Sequence, residues 1–207
     1  MARSKSSKRW LQAHFDDPYV KQAQQEGFRS RAVFKLQELD EKYRMLQPGM
    51  VVVDLGAAPG GWSEYVAPRV APGGQVIALD ILFMEPLPDV EFIEGDFTEA
   101  AALDALEAKL DGAKVDLVMS DMAPNMSGVA VTDQARAMYL AELAFEFSKD
   151  HLKPGGRLLI KMFQGEGFDG FVKHCRTAFS KVLVRKPKAS RPRSREVYLL
   201  ASGRLVE

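Results

Sequence analysis

The chain is poor in the residues that would staple it or hold a metal. Its one cysteine, Cys175, has no partner for an internal disulfide, and His14, His151 and His174 stand at no metal-ligand spacing. A reducing compartment and no metal site are therefore expected. Net charge is absent too, with 28 basic against 28 acidic residues. No apolar run is long enough to cross a bilayer, and the N-terminus, charged from Arg3 onward, lacks a signal-peptide pattern. A cytoplasmic protein without membrane contact is the expectation. Two nucleotide signatures are missing. Gly56 is followed by Ala57, Ala58 and Pro59, which is the wrong spacing for a dinucleotide fingerprint and weakens a nicotinamide-dependent oxidoreductase. Gly61-Trp62-Ser63 lacks the lysine of a phosphate-binding P-loop and excludes that class.

What is present centres on Val51 to Trp62, an apolar run that breaks into a glycine-rich turn. Val51 to Val53 and Leu55 read as a strand buried on both faces, because β-branched residues run together without polar alternation. Gly56, Gly60 and Gly61 let the backbone turn sharply and approach a ligand, and the helix that follows would aim its free N–H groups at that ligand.

At 207 residues and 46% hydrophobic, the chain suits one domain over 19–207, preceded by a basic, loosely ordered extension over 1–18. Apolar spacing from Tyr19 to Leu46 predicts a helical entry, with Ser30 a cap and Pro48-Gly49 the stop. A second strand, Gln75 to Asp80, ends in an acid about 20 residues past the glycine turn, where a ribose-binding carboxylate sits in nucleotide-binding α/β folds. A third strand, Val90 to Glu94, leads to Asp96, and a helix from Thr98 to Leu110 is expected to be capped by Thr98. The fourth strand, Val115 to Ser120, leads to Asp121-Met-Ala-Pro-Asn125. A helix from Asp133 to His151, a fifth strand from Gly156 to Phe163, a helix from Gly167 to Phe179 and strands at 181–184 and 196–201 complete the order. This alternation calls for a mostly parallel sheet with helices on both faces. Asp80, Asp96 and Asp121 would then gather with the glycine turn at the carboxyl ends of the strands. Lys161, set in an apolar strand, either snorkels or meets a carboxylate, and the default for Glu196 is an ion pair with Arg193 or Arg195.

The zero net charge hides a segregation. Arg3, Lys5, Lys8, Arg9, Lys21, Arg29, Arg31 and Lys35 make one end basic, Lys181 to Arg195 the other, and Glu85 to Asp121 is dominated by carboxylates. Basic ends meeting on one face would form a salt-sensitive footprint for RNA, with Trp10, Phe15, Tyr19 and Phe28 offering faces for exposed bases.

Asp54-Leu-Gly-Ala-Ala-Pro-Gly-Gly-Trp62 resembles the S-adenosylmethionine-binding motif of the FtsJ/RrmJ family of ribosomal RNA ribose 2'-O-methyltransferases. The likeness continues through Arg29 to Leu36, Ser120 to Asn125, Leu159 to Gly165 and Ser194 to Tyr198. It implies a Rossmann-like methyltransferase fold with a mostly parallel seven-stranded sheet and an antiparallel last strand. It further implies a catalytic set of Lys35, Asp121, Lys161 and Glu196, and cofactor contacts at Gly60, Trp62, Asp80, Asp96 and Asp121. The substrate it implies is a uridine ribose in large-subunit ribosomal RNA, met within the assembled subunit; a monomer is the expectation. Lys161, held by Asp121 and Glu196, would serve as a base for the 2'-hydroxyl or as a charged group that orients it. A ribosome-assembly factor that binds RNA and cofactor without turnover is the alternative.

Overall fold

The computed structural model describes residues 17–206, so the basic residues Arg3 to Arg9 and the aromatics Trp10 and Phe15 lie outside the described part. Two short helices come first, α1 (Pro18–Glu26) and α2 (Val33–Tyr43). The core then runs β1 (Val51–Leu55), α3 (Gly61–Val70), β2 (Gln75–Asp80), β3 (Val90–Glu94), α4 (Ala100–Leu110) and β4 (Val115–Ser120). It ends with α5 (Ala130–His151), β5 (Leu152–Phe163), α6 (Phe168–Ala178), β6 (Phe179–Arg185) and β7 (Glu196–Arg204).

The strands form one seven-stranded sheet in the order β3-β2-β1-β4-β5-β7-β6. Strands β1 to β5 pair with one another in parallel, and β7 inserts antiparallel between β5 and β6. Alternating side chains feed two cores. Val52, Val76, Leu117, Leu159 and Leu200 pack towards α1, α2 and α3, whereas Val53, Ile77, Val118, Leu158 and Leu199 pack towards α4, α5 and α6. Helices on both faces follow, and the strand order reverses between β1 and β4, which opens a crevice at their carboxyl ends.

Three local expectations are corrected. The entry is two helices, because Gly27 adopts a left-handed conformation (φ 78°) and its N–H caps Ala23. The second helix stops before Pro48: Arg44 turns left-handed, and the Asp40 carboxylate accepts the N–H groups of Met45 (2.8 Å) and Leu46 (3.0 Å). Thr98 does not cap α4, which starts at Ala100; its N–H and hydroxyl both donate to Asp96 Oδ1, at 2.9 and 2.7 Å.

Candidate active site

A cleft of about 460 Å³ opens at the carboxyl ends of β1, β2 and β4, within the size range of small-molecule sites. Gly56, Asp80, Asp96 and Asp121 line it together with apolar Leu82 and Phe97. The parallel register produces this gathering, since each of these acids closes or follows a strand and parallel strands present those ends on one rim. Asp80 is already engaged: Oδ2 accepts from the Ala58 N–H (2.9 Å) and Oδ1 from the Leu82 N–H (2.8 Å). Its carboxylate therefore joins the glycine turn to the start of the β2–β3 loop.

Beside the cleft lies a second cavity of about 330 Å³, lined by Arg31, Lys35, Arg191, Ser194 and Glu196. Lys35 Nζ, carried by α2, sits 2.7 Å from Glu196 Oε1 at the start of β7, and the Ser190 hydroxyl donates to the same oxygen at 2.9 Å. Lys161, on β5, donates to the Asp121 backbone carbonyl and lies 3.2 Å from Asp121 Oδ1. Tyr198 joins the two pairs. Its hydroxyl donates to Asp121 Oδ1 at 2.7 Å, and its ring centroid is 5.7 Å from Lys35 Nζ. Lys161 and Tyr198 are direct partners in the β5–β7 ladder and so emerge on the same face. Tyr198 is fully buried; burial first, then the charges of Asp121 and Glu196, hold its phenol well above the ordinary range, so it remains a donor.

The structure thus brings Lys35, Asp121, Lys161 and Glu196 into one chain of contacts, with two departures from expectation. Glu196 pairs with Lys35, not with Arg193 or Arg195. Lys161 rests on Asp121, while Glu196 is committed to Lys35 and Ser190. Gly60 and Trp62 are not in the cleft lining. A Cβ on Gly60 would meet Met84 Sδ at 2.9 Å and Leu87 Cδ1 at 3.0 Å, so its conformation (φ 106°) serves the protein's own packing. Trp62 is 3% exposed; its indole N–H donates to the Ala32 carbonyl at 2.9 Å and its ring backs Tyr198 with centroids 5.8 Å apart.

Tyr198 and Ser190 were missed by the sequence argument, although Tyr198 lies two positions from Glu196 on one strand and therefore on the same face. Asp54 was also passed over as a site residue. It is fully buried in β1, accepts from the Ser63 hydroxyl at 2.7 Å, and its Oδ1 has no partner among the described residues. Burial, reinforced by Asp121 and Asp80, pushes its carboxyl up to about 7 against the Ser63 hydrogen bond. A folded-state value above the unfolded 3.8 means that the folded protein binds the extra proton, so this contribution to stability is lost as pH rises from about 4 to about 7. Asp54→Asn should accordingly gain on the parent through that window, by up to about 4 kcal/mol. Urea midpoints of both proteins across the range measure it, and a difference independent of pH would show Asp54 ionised throughout.

The sequence pattern of FtsJ-like methyltransferases matches residues 28–204. Ribosomal RNA large subunit methyltransferase E of Legionella pneumophila (strain Corby) is 59% identical over 203 residues, covering 98% of each chain. The protein of the same name from Azoarcus sp. is 60% identical over 200 residues, covering 97% of this chain and 98% of that one. Among solved structures, a Plasmodium falciparum chain described as a ribosomal RNA methyltransferase superposes with a TM-score of 0.79 at 28% identity, covering 87% of this chain and 100% of that one.

Proposed function

Because this chain belongs to the FtsJ-like methyltransferase family, we propose that it transfers a methyl group from S-adenosylmethionine to the ribose 2'-hydroxyl of a uridine in large-subunit ribosomal RNA. It is an RNA methyltransferase; the named cofactor, the ribose oxygen and the uridine are the proposal. One observation carries the reading: the Lys35–Glu196 pair in the outer cavity connects through Tyr198 to the Asp121–Lys161 pair at the cleft. A basic substrate groove and an acidic cofactor cleft thereby meet at one polar seam.

The cleft suits the cofactor by its chemistry. Carboxylates at Asp80, Asp96 and Asp121 match a cationic ligand rich in hydroxyl and amino donors, and Leu82 and Phe97 offer apolar walls for a base. Asp80 would take the ribose hydroxyls and Asp96 the adenine amino group, and Gly60 and Trp62, at the turn and the start of α3, would face the methionine part. When bound, S-adenosylmethionine supplies an electrophilic methyl on a sulfonium centre. The chain's own contribution is then mainly orientation, which can account for about 7–11 kcal/mol of barrier lowering. An ammonium has three N–H donors. Lys161 donates one to the Asp121 carbonyl and lies 3.2 Å from Asp121 Oδ1; as an ammonium it keeps a donor that orients the 2'-oxygen, and as a free amine it would take the proton that the hydroxyl gives up. Lys35 and Glu196, with Arg191 at the rim, would seat the ribose and its phosphates as part of a footprint formed by the two basic ends.

The reading places the enzyme at ribosomal RNA in the cytoplasm. Among the described residues no helix is long and apolar enough to cross a membrane. Tritiated methyl transfer to undermethylated large subunits tests the proposal, with free RNA and protein-only controls. A 2'-O-methyl group protects the adjoining phosphodiester from alkali, so label should be recovered in alkali-resistant dinucleotides. Label on a base, or none, would end the ribose reading.

Asp80→Ala should act on cofactor affinity more than on the chemical step. It removes a carboxylate that holds two backbone N–H groups as well as the proposed ribose contact, so affinity should weaken about 10- to 100-fold. Calorimetric titration with S-adenosylhomocysteine reads this directly; parent-like affinity would show the ribose assignment to be misplaced.

A further inference from the structure

Arg29 lies in the basic N-terminal run, where a phosphate contact is the default role. The fold occupies it otherwise. One terminal nitrogen, Nη1, donates to the Glu85 carbonyl at 2.6 Å and reaches the Pro59 carbonyl at 3.4 Å, while Nη2 donates to the Pro86 carbonyl at 2.9 Å. Pro59 belongs to the glycine turn, whereas Glu85 and Pro86 belong to the loop between β2 and β3. The residue is itself held, since its backbone N–H donates to Glu64 in the first turn of α3 at 3.1 Å.

The loop it grips forms a wall of the cleft and has few other anchors. Ile81 and Leu82, both in the lining, are 52% and 62% exposed, and Phe83 is 63% exposed. Met84, 2% exposed, enters the core where Gly60 leaves room for it. Asp80 fixes the start of the loop from inside the cleft, and Arg29 fixes its far part from outside. A hypothetical Cβ on Gly60 lies within 3.3 Å of the Arg29 side chain as well as near Met84 and Leu87, so the arginine stem, the loop and the glycine turn converge on one point.

We infer that Arg29 is a positioning residue of the cofactor cleft, clamping the β2–β3 loop against the glycine turn, and is not part of the RNA footprint. The inference rests on the methyl-donor reading of the cleft given above. The residue type follows from the geometry: a planar guanidinium spans carbonyls of two chain segments at once, which the single ammonium of lysine does not do in a fixed plane. Its hydrogen bonds to neutral carbonyls are charge-assisted and correspondingly strong.

The test uses the full chain with Arg29→Ala and Arg29→Lys. The expected result is S-adenosylhomocysteine affinity weakened about 10- to 100-fold in Arg29→Ala, the loss of one or two charge-assisted hydrogen bonds. At saturating cofactor, turnover should fall by less than about threefold, because Arg29 reaches neither the Lys161 pair nor the Lys35 pair. Arg29→Lys, the milder change should the alanine variant not fold, should still bind at least about fivefold more weakly, and the salt dependence of ribosomal-subunit binding should match the parent's. Parent-like affinity in Arg29→Lys would overturn the clamp. So would a flattened salt slope with unchanged cofactor affinity, the signature of a phosphate contact. If the parent itself does not bind S-adenosylhomocysteine, the methyl-donor reading fails first, and the clamp with it, on a measurement that involves no variant.

Discussion

Lys161→Ala is expected to bind S-adenosylhomocysteine within a few fold of the parent and to lose about 100- to 10,000-fold in single-turnover methyl transfer, the usual worth of a positioned acid, base or proton-holding group. The ammonium reaches the seam from β5 between buried Ile160 and Met162, with a side chain only 9% exposed, so no solvent cation takes its place. Removal also leaves the Asp121 carboxylate with the Tyr198 hydroxyl but without its cation, and breaking so enclosed a pair costs stability on the order of 3–5 kcal/mol. Lys161→Met keeps the apolar stem and separates the two effects: it should hold more of the stability and recover none of the rate. Near-parent single-turnover rates in a folded variant would take Lys161 out of the chemistry.

Gly56→Ala should be nearly as damaging, for a steric reason. An added Cβ would stand 2.8 Å from Met122 N and 2.9 Å from Met122 Cα, in a backbone already left-handed at φ 78°. Both neighbours are backbone, so relief requires the Asp121–Met122 segment to move. That segment is tied to β1 by the Asp121 N–H donating to the Leu55 carbonyl at 3.1 Å, and it carries the carboxylate that meets Lys161, Tyr198 and the cleft. The left-handed conformation costs about 1–2 kcal/mol and the crowding about 1–3 kcal/mol more. A displacement near 1 Å at the reacting groups costs on the order of 100-fold in rate. Gly112→Ala provides the comparison, since Gly112 has a similar φ of 77° with nothing within 4 Å of the added Cβ. It should lose only the conformational part of the stability and none of the activity. Equal losses in the two variants, by thermal melting and turnover, would show that the Met122 contact is irrelevant.

The acids of the cleft were legible because each stands where a strand ends, and parallel strands on either side of a reversal point deliver their ends to one crevice. Asp80, Asp96 and Asp121 needed only the alternation of strands and helices to be placed together. The partner of Glu196 was not legible. Glu196 stands in sequence beside Arg195, yet β7 enters the sheet antiparallel between β5 and β6, which turns Glu196 towards α2 and Lys35 and sets Tyr198 against Lys161. Arg29 and Arg31 likewise read as part of a basic RNA footprint. Tertiary folding gave Arg29 the three carbonyls and gave Arg31 the Asp17 carboxylate and the Ala189 carbonyl.

Local order was therefore written in the chain itself: continuous apolar runs for strands, helical spacing for helices, glycines where the backbone turns left-handed, and carboxylates at strand ends. These depend on neighbours a few residues apart and on a short list of allowed backbone shapes. Partner choice depended on the assembled sheet. Hydrogen bonds and ion pairs form between groups within about 3 Å whatever their separation in sequence, and only the position of the antiparallel strand settled that Glu196 faces Lys35.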